Sequence, residues 1–296
     1  MSGTTPASPP AADAPPPDRY AVIGHPVAHS RSPRIHAAFA AATGQALEYG
    51  RIDAAPGAFE QAVRDFFGGG GRGLNVTVPH KEVAARLADR LTDRARLAGA
   101  VNTLAKQADG ALLGDNTDGA GLMADLARLG IAVAGARVLV LGAGGATRGI
   151  LGPLLDASPA QVVITNRTAT RAQEVAAAFA QARPGSPATL VQGCGYDGLA
   201  PLLVAGPFDL VIHATSLGLQ GEVPMLPPGV VGPASVAYDL GYGAADTPFT
   251  GWARAQGVAR AEQGLGMLVE QAAESFLLWR GVRPATAAVH RELAAG

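Results

Sequence analysis

The sequence predicts an α/β fold in two domains, and three observations carry that prediction. From residue 20 onward, short apolar stretches rich in β-branched residues alternate with Ala/Leu/Arg-rich stretches of helical composition. Beyond residue 137 the apolar stretches are hydrophobic on both faces, as strands of a parallel sheet covered by helices are. The length of 296 residues suits about two domains, each able to bury its own core.

Taken in order, residues 1–18 are Pro/Ala-rich, contain no Lys or Arg, and lack the apolar core of a secretory signal, so they read as a disordered tail. Strands are expected at residues 20–23, 47–52, 73–76, 137–141, 161–165, 208–212 and 235–240. Helices are expected at 34–42, 82–90, 120–129, 147–157 and 265–278; Leu265, Leu268, Val269, Ala272 and Phe276 form an apolar stripe on the last. A polar, Gly-rich segment at 114–121 precedes a new helix and marks a domain boundary. Repeats of 20 to 50 residues are not evident, which argues against a solenoid.

Hydrophobic residues make up 48% of the chain and charged ones 16%, with a formal net charge of -1. Without a basic block, neither a nucleic-acid surface nor a polybasic membrane anchor is expected. No uninterrupted apolar run reaches the length of a membrane span. The single cysteine, Cys194, rules out an intramolecular disulfide framework and a Cys-rich zinc site, and makes the cytoplasm the default compartment. The six histidines lack paired ligand spacing, so no metal is expected, and a GxSxG hydrolase elbow is missing.

The segment 137–141 runs straight into Gly142-Ala143-Gly144-Gly145-Ala146 and then a helical stretch. Strand, glycine turn and helix in that order let backbone N–H groups approach a pyrophosphate at a helix N-terminus, although Thr147 stands where GxGxxG has its third glycine. About 20 residues on, the next strand ends in Asn166-Arg167-Thr168, with Arg171 following. An acidic residue there would bind a ribose 2′-hydroxyl; Arg167 and Arg171 suit the dianionic 2′-phosphate of NADP, and they are equally compatible with two solvated arginines.

Of the 23 cationic residues, only Lys81 and Lys106 are lysines. An ammonium can release a proton and a guanidinium cannot, so a retained lysine is a general acid–base candidate. Lys106, in a polar turn, is expected at the surface. Lys81 follows a strand and Pro79 in the first turn of a helix, where the dipole disfavours a cation; it is either a proton-transfer group or a solvated residue paired with a carboxylate. Ser32 and Pro33 read as N-cap and first residue of a helix, where the hydroxyls of Ser30 and Ser32 could also hold a carboxylate. Asp118 reads equally as the cap of the helix at 120–129.

Together the motifs HSRSP from His29, NVTVPHK from Asn75, GAVNTL from Gly99, GDNTDG from Gly114, GAGGATRG from Gly142, NRT from Asn166, HATSLG from His213 and GLGMLVEQAA from Gly264 resemble the shikimate dehydrogenase family, in order and over residues 20–284. The resemblance implies an N-terminal α/β substrate domain (19–117 plus 264–296), a Rossmann-type doubly wound NADP domain (118–263) and C-terminal helices that return to the first. It implies reversible NADPH-dependent reduction of 3-dehydroshikimate to shikimate by a monomer or homodimer. Lys81 and Asp118 would act at the reacting oxygen and Ser30 and Ser32 on the carboxylate, with Asn75, Thr77, Asn102, Tyr242 and Gln271 on the ring. Residues 142–146, Asn166, Arg167, Thr168 and Arg171 would hold the nucleotide, and Thr215, Leu240, Gly264 and Met267 its nicotinamide side. His25, His80, His213 and Gln263 depart from the commoner family pattern. A quinate/shikimate dehydrogenase paralogue and a non-catalytic NADP sensor are the competing readings.

Overall fold

A computed structural model describes residues 16–182, 190–243 and 245–294. Most of the expected tail, residues 1–15, lies outside them. Asp18, assigned to the tail, instead opens the first strand, where Arg72 and Arg280 hold its carboxylate.

The first half alternates β1 (Asp18–Gly24), α1 (Ser32–Thr43), β2 (Leu47–Asp53), α2 (Phe59–Gly68), β3 (Gly73–Val76), α3 (Lys81–Leu87), β4 (Arg90–Leu91), α4 (Asp93–Ala98), β5 (Thr103–Lys106) and β6 (Leu112–Asp115). Its strands form one mixed sheet in the order β2-β1-β3-β5-β6-β4, in which β5 runs antiparallel to β3 and β6. Then follow α5 (Asp118–Arg128), β7 (Arg137–Leu141), α6 (Gly145–Asp156), β8 (Gln161–Thr165), α7 (Ala169–Ala182), β9 (Leu190–Cys194), β10 (Leu210–His213), β11 (Val236–Asp239), α8 (Pro248–Ala255) and β12 (Arg260–Gln263). These strands form a second, all-parallel sheet in the order β12-β11-β10-β7-β8-β9. The order reverses between β7 and β10, the doubly wound topology whose switch-point crevice takes a dinucleotide. Finally α9 (Leu265–Arg280) and α10 (Ala287–Ala294) return to the first sheet.

Period-2 alternation explains the parallel sheet. Val138 and Val140 pack on one side with Ile150 and Leu154 of α6, whereas Leu139 and Leu141 pack on the other with Phe249 of α8. The first sheet is covered by Phe59, Val63 and Phe67 of α2. A separate core joins Ile35 and Phe39 of α1 to Val269 and Phe276 of α9 and to Val289 and Leu293 of α10. Each buried phenylalanine there contributes about 2 to 3 kcal/mol. Near the end of α9, Trp279 donates to the Leu104 carbonyl of β5 at 3.0 Å.

Three expectations need correction. The helix expected to reach residue 90 stops at Leu87, because Ala88 turns extended and Asp89 is drawn into backbone pairing with Leu112. Lys106 is partly exposed but lies in a strand and not a turn: it ends β5 and its ammonium donates to the Phe67 carbonyl at 3.1 Å. Strands β4, β5, β6, β9 and β12 were absent from the sequence reading, being short or weakly apolar.

Candidate active site

Two adjoining cavities, of about 510 Å³ and 690 Å³, lie between the sheets and share Lys81, Ala146 and Thr215 among their walls. Lys81 is the first residue of α3, and Val101 N donates to its carbonyl at 2.8 Å, so the helix start is tied to the approach to β5. Its Nζ donates to Asp118 Oδ2 at 2.5 Å; the two side chains are 13% and 5% exposed, a pair largely removed from water. Asp118 does not cap a helix at 120–129. It opens α5 itself, with Thr117 at the N-cap position, so the helix dipole supports its carboxylate while the opposing dipole of α3 leaves Lys81 dependent on that carboxylate.

The polar groups around this pair come from distant segments. Asn102 Nδ2 donates to Asp118 Oδ1 and Thr117 Oγ1, both at 2.8 Å, and lies 3.2 Å from Gln271 Oε1. Asn75 Nδ2 donates to Ser275 Oγ at 2.9 Å, and Asn75 Oδ1 accepts from Tyr49 at 2.6 Å. Gln271 and Ser275 both come from α9, and Gly121 of α5 allows that approach: a Cβ on it would lie 2.6 Å from the Gln271 Cβ. Thr77 lines the same cavity.

At the far end of the smaller cavity, Ser30 Oγ donates to Ser32 Oγ at 3.2 Å, and the Tyr242 hydroxyl accepts from Arg31 N at 3.4 Å. Ser32 is not the N-cap; Arg31 holds that position without a side-chain cap, Ser30 Oγ accepts from Ser32 N at 3.3 Å, and both serines line the cavity. Sequence reading missed Arg51, whose guanidinium holds the Ser30 carbonyl through Nε and Nη2 at 3.1 and 2.6 Å. Burial pushes the phenols of Tyr49 and Tyr242 up, so both stay protonated donors at neutral pH.

The larger cavity is lined by Gly142, Ala143, Gly144, Gly145 and Ala146 at one end and by Asn166, Arg167, Thr168 and Arg171 at the other. Gly142 has φ +111°, and a Cβ on it would lie 3.0 Å from the Ala214 carbonyl, so the turn out of β7 requires glycine. The first N–H groups of α6 have no carbonyl one turn back, which suits a pyrophosphate, and the two arginines suit a phosphate monoester. Tyr196, also missed, lines this end, and Glu82 stands 3.8 Å from Arg171. Leu240, Gly264 and Met267 line the smaller cavity near Thr215. Gln263 anchors the neighbouring loop, accepting from Gly243 N and donating to the Ala245 carbonyl, each at 2.8 Å.

Among the described residues no group of three or more His, Cys, Asp or Glu is placed to hold a metal, and no helix is long and apolar enough to cross a membrane. The arrangement suits a small carboxylated polyol beside a phosphorylated dinucleotide, with a lysine between them.

Comparison with known proteins agrees with that arrangement. Residues 22–104 match the shikimate dehydrogenase substrate binding domain, 125–189 the shikimate/quinate 5-dehydrogenase domain, and 264–294 the shikimate 5′-dehydrogenase C-terminal domain. The chain is 53% identical over 280 residues to a shikimate dehydrogenase (NADP(+)) of Methylococcus capsulatus, covering 94% of this chain and 97% of that protein. It is 54% identical over 276 residues to the corresponding Aeromonas hydrophila protein, covering 93% and 97%. Among solved structures, an Ael1 enzyme from Pseudomonas putida superposes with a TM-score of 0.80 at 45% identity, covering 93% of this chain and 98% of that one. A Thermus thermophilus shikimate 5-dehydrogenase in complex with NADP(H) and shikimate gives 0.78 at 34% identity, covering 93% and 97%. On motif order, topology, cavity chemistry and identity over nearly its whole length, this chain belongs to the shikimate dehydrogenase family.

Proposed function

We propose that this chain catalyses the reversible NADPH-dependent reduction of 3-dehydroshikimate to shikimate, on the route to chorismate and the aromatic amino acids. The observation that carries the reading is the Lys81–Asp118 pair, desolvated and set where the cavity lined by polar side chains meets the phosphate-suited one. When bound, NADPH supplies the hydride. Charge then develops on the substrate oxygen, and the Lys81 ammonium stabilises it and delivers a proton. Asp118 fixes one Lys81 N–H, leaving the others to turn toward that oxygen, and Asn102 holds Asp118 from its other side. Ser30 and Ser32 bind the carboxylate, supported by Tyr242. Asn75, Thr77, Asn102 and Gln271 bind and orient the ring hydroxyls. Residues 142–146 hold the pyrophosphate; Asn166, Arg167, Thr168 and Arg171 hold the adenosine side with its 2′-phosphate. Thr215, Leu240, Gly264 and Met267 border the nicotinamide.

In this reading residues 19–117 with 264–296 form the substrate domain, 118–263 the NADP domain, and the protein works in the cytoplasm as a monomer or homodimer. The test is the initial rate of NADP reduction by purified protein with shikimate, and separately with quinate. Fast shikimate-dependent reduction with poor use of quinate supports the reading. Preference for quinate replaces it with the paralogue, and folded protein that binds NADP without turnover replaces it with a sensor.

A further inference from the structure

His213 stands where the family commonly has Asn, and its surroundings give it a defined state. It pairs with Asp239 across β10 and β11, at the ends of both strands, and both residues are buried, at 1% and 3% exposure. The imidazole Nδ1 lies 3.0 Å from Asp239 Oδ1, and Nε2 lies 2.6 Å from Thr215 Oγ1. Phe249 of α8 stacks on the ring at 4.8 Å and 23°, which fixes its plane.

Asp239 is an acceptor on every side. Gly241 N donates to its Oδ1 at 2.9 Å and Thr247 Oγ1 to its Oδ2 at 2.6 Å. Burial works to raise this carboxyl, but the bonds from His213, Thr247 and Gly241 outweigh it and hold the group below the usual carboxylate range. A carboxylate facing Nδ1 requires the proton there, so in the neutral ring Nε2 is bare and accepts. The Thr215 hydroxyl must then give its one proton to Nε2. The Thr215 Cγ2 lies over Gly142, 3.1 Å from where a Cβ on that glycine would stand. Leu217 N donates to Thr215 Oγ1 at 3.3 Å, which leaves one acceptor lone pair on a residue that lines both cavities.

We infer that Asp239 and His213 are positioning residues that lock Thr215 as a hydrogen-bond acceptor, presented to the carboxamide N–H of the bound nicotinamide. The inference rests on the NADP reading above. Its chemical content is polarity: a threonine in this place can donate or accept, and the relay removes the donor option.

Two measurements test it. In protein carrying ring-¹⁵N histidine, with the His213 signals assigned from their loss in His213→Gln, the relay requires a proton on Nδ1 and none on Nε2; a proton on Nε2 overturns the inference whatever the activity. The second is equilibrium binding of NADP⁺ and of its 3-acetylpyridine analogue, in which a methyl replaces the carboxamide nitrogen. Wild type is expected to favour NADP⁺ about tenfold, the value of one hydrogen bond to a buried acceptor. Thr215→Val and His213→Asn should lower that preference to about twofold or less, the Asn variant because it is too short to reach Thr215. Thr215→Ser and His213→Gln should retain it, since Gln Oε1 can accept at the place of Nε2. Equal loss of affinity for both ligands in Thr215→Val, or no loss for either, overturns the inference while shikimate turnover leaves the functional reading standing. Wild type that fails to bind NADP⁺ removes that reading and this inference with it.

Discussion

The larger cavity, proposed to take the nucleotide (the nucleotide cavity), and the smaller one, proposed to take the substrate ring (the ring cavity), share a wall at Lys81 and Thr215, yet their chemistry comes from different levels of the chain. The nucleotide cavity is backbone-borne and local: one glycine turn, one helix start and one pair of arginines after the next strand. The ring cavity is borne by side chains that meet only on folding, such as Asn102 and Gln271, 169 residues apart, or Asn75 and Ser275, 200 apart. A local device tolerates change in its surroundings, whereas an assembled one depends on the elements that carry its parts. The two regions should therefore fail differently when perturbed.

The largest difference is expected at the ring cavity. Asp118→Asn keeps an acceptor for Lys81 but removes the charge, and kcat should fall by about 10² to 10³, the usual scale of an acid–base contribution, with KM for shikimate moving little. Steady-state kinetics decide this, and a large KM rise at constant kcat would make Asp118 a binding group. Next comes Arg167→Gln, which removes a charge-assisted bond from the nucleotide cavity alone. KM for NADP should rise about 10- to 100-fold while KM for NAD and for shikimate stay near wild type; a parallel loss with NAD would detach Arg167 from the 2′-phosphate.

Gly145→Ala probes the shared wall, because its Cβ would stand 2.9 Å from the Lys81 Cβ and one of the two helices must shift. A loss of about tenfold is expected in kcat together with weaker NADP binding, and an effect confined to one ligand would show that the cavities are not coupled there.

The smallest effect on catalysis is expected at His36, which lies behind the ring cavity, stacked on Tyr49 at 4.2 Å. Among the described residues neither ring nitrogen lies within hydrogen-bond geometry of a partner, and burial, only partly offset by the nearby Asn75 side chain, pushes the imidazole down from 6.5 to about 3. The folded state thus stays neutral where the unfolded chain takes up a proton. Stability is complete above pH 6.5 and falls below it by about 1.4 kcal/mol per unit until about pH 3, or about 3 kcal/mol by pH 4.5. Urea unfolding at pH 7 and 4.5 checks this: His36→Phe should lose less stability than wild type over that interval, and equal losses would place the acid sensitivity elsewhere.

The contrast between the cavities also governs what could be read before folding. The parallel sheet was legible because strands such as residues 137–141 and 161–165 are apolar on both faces and end in motifs with a local mechanism. Strands β4 and β12 were not, since Arg90–Leu91 and Arg260–Gln263 have almost no apolar signal and exist because neighbouring strands supply their hydrogen bonds. Ser32 and Asp118 were misplaced by one or two residues as helix caps; both line the smaller cavity. Asn102, Tyr242 and Gln271 could be named only through the family's motifs, because nothing adjacent in sequence marks them. Arg51 carried no signal at all: it sits on an outer strand and becomes relevant only when β2 brings it beside the Ser30 carbonyl.

Lys81 touches both cavities, so proton transfer at the reacting oxygen depends on it more than on any other side chain in this mechanism. In Lys81→Met, NADP⁺ affinity and kcat for shikimate oxidation should be measured on the same folded protein. NADP⁺ binding within about threefold of wild type and a kcat lower by about 10³ or more are expected. A kcat near wild type with weakened binding of either ligand would contradict this, leaving Lys81 a binding residue and the reacting oxygen without its proton donor.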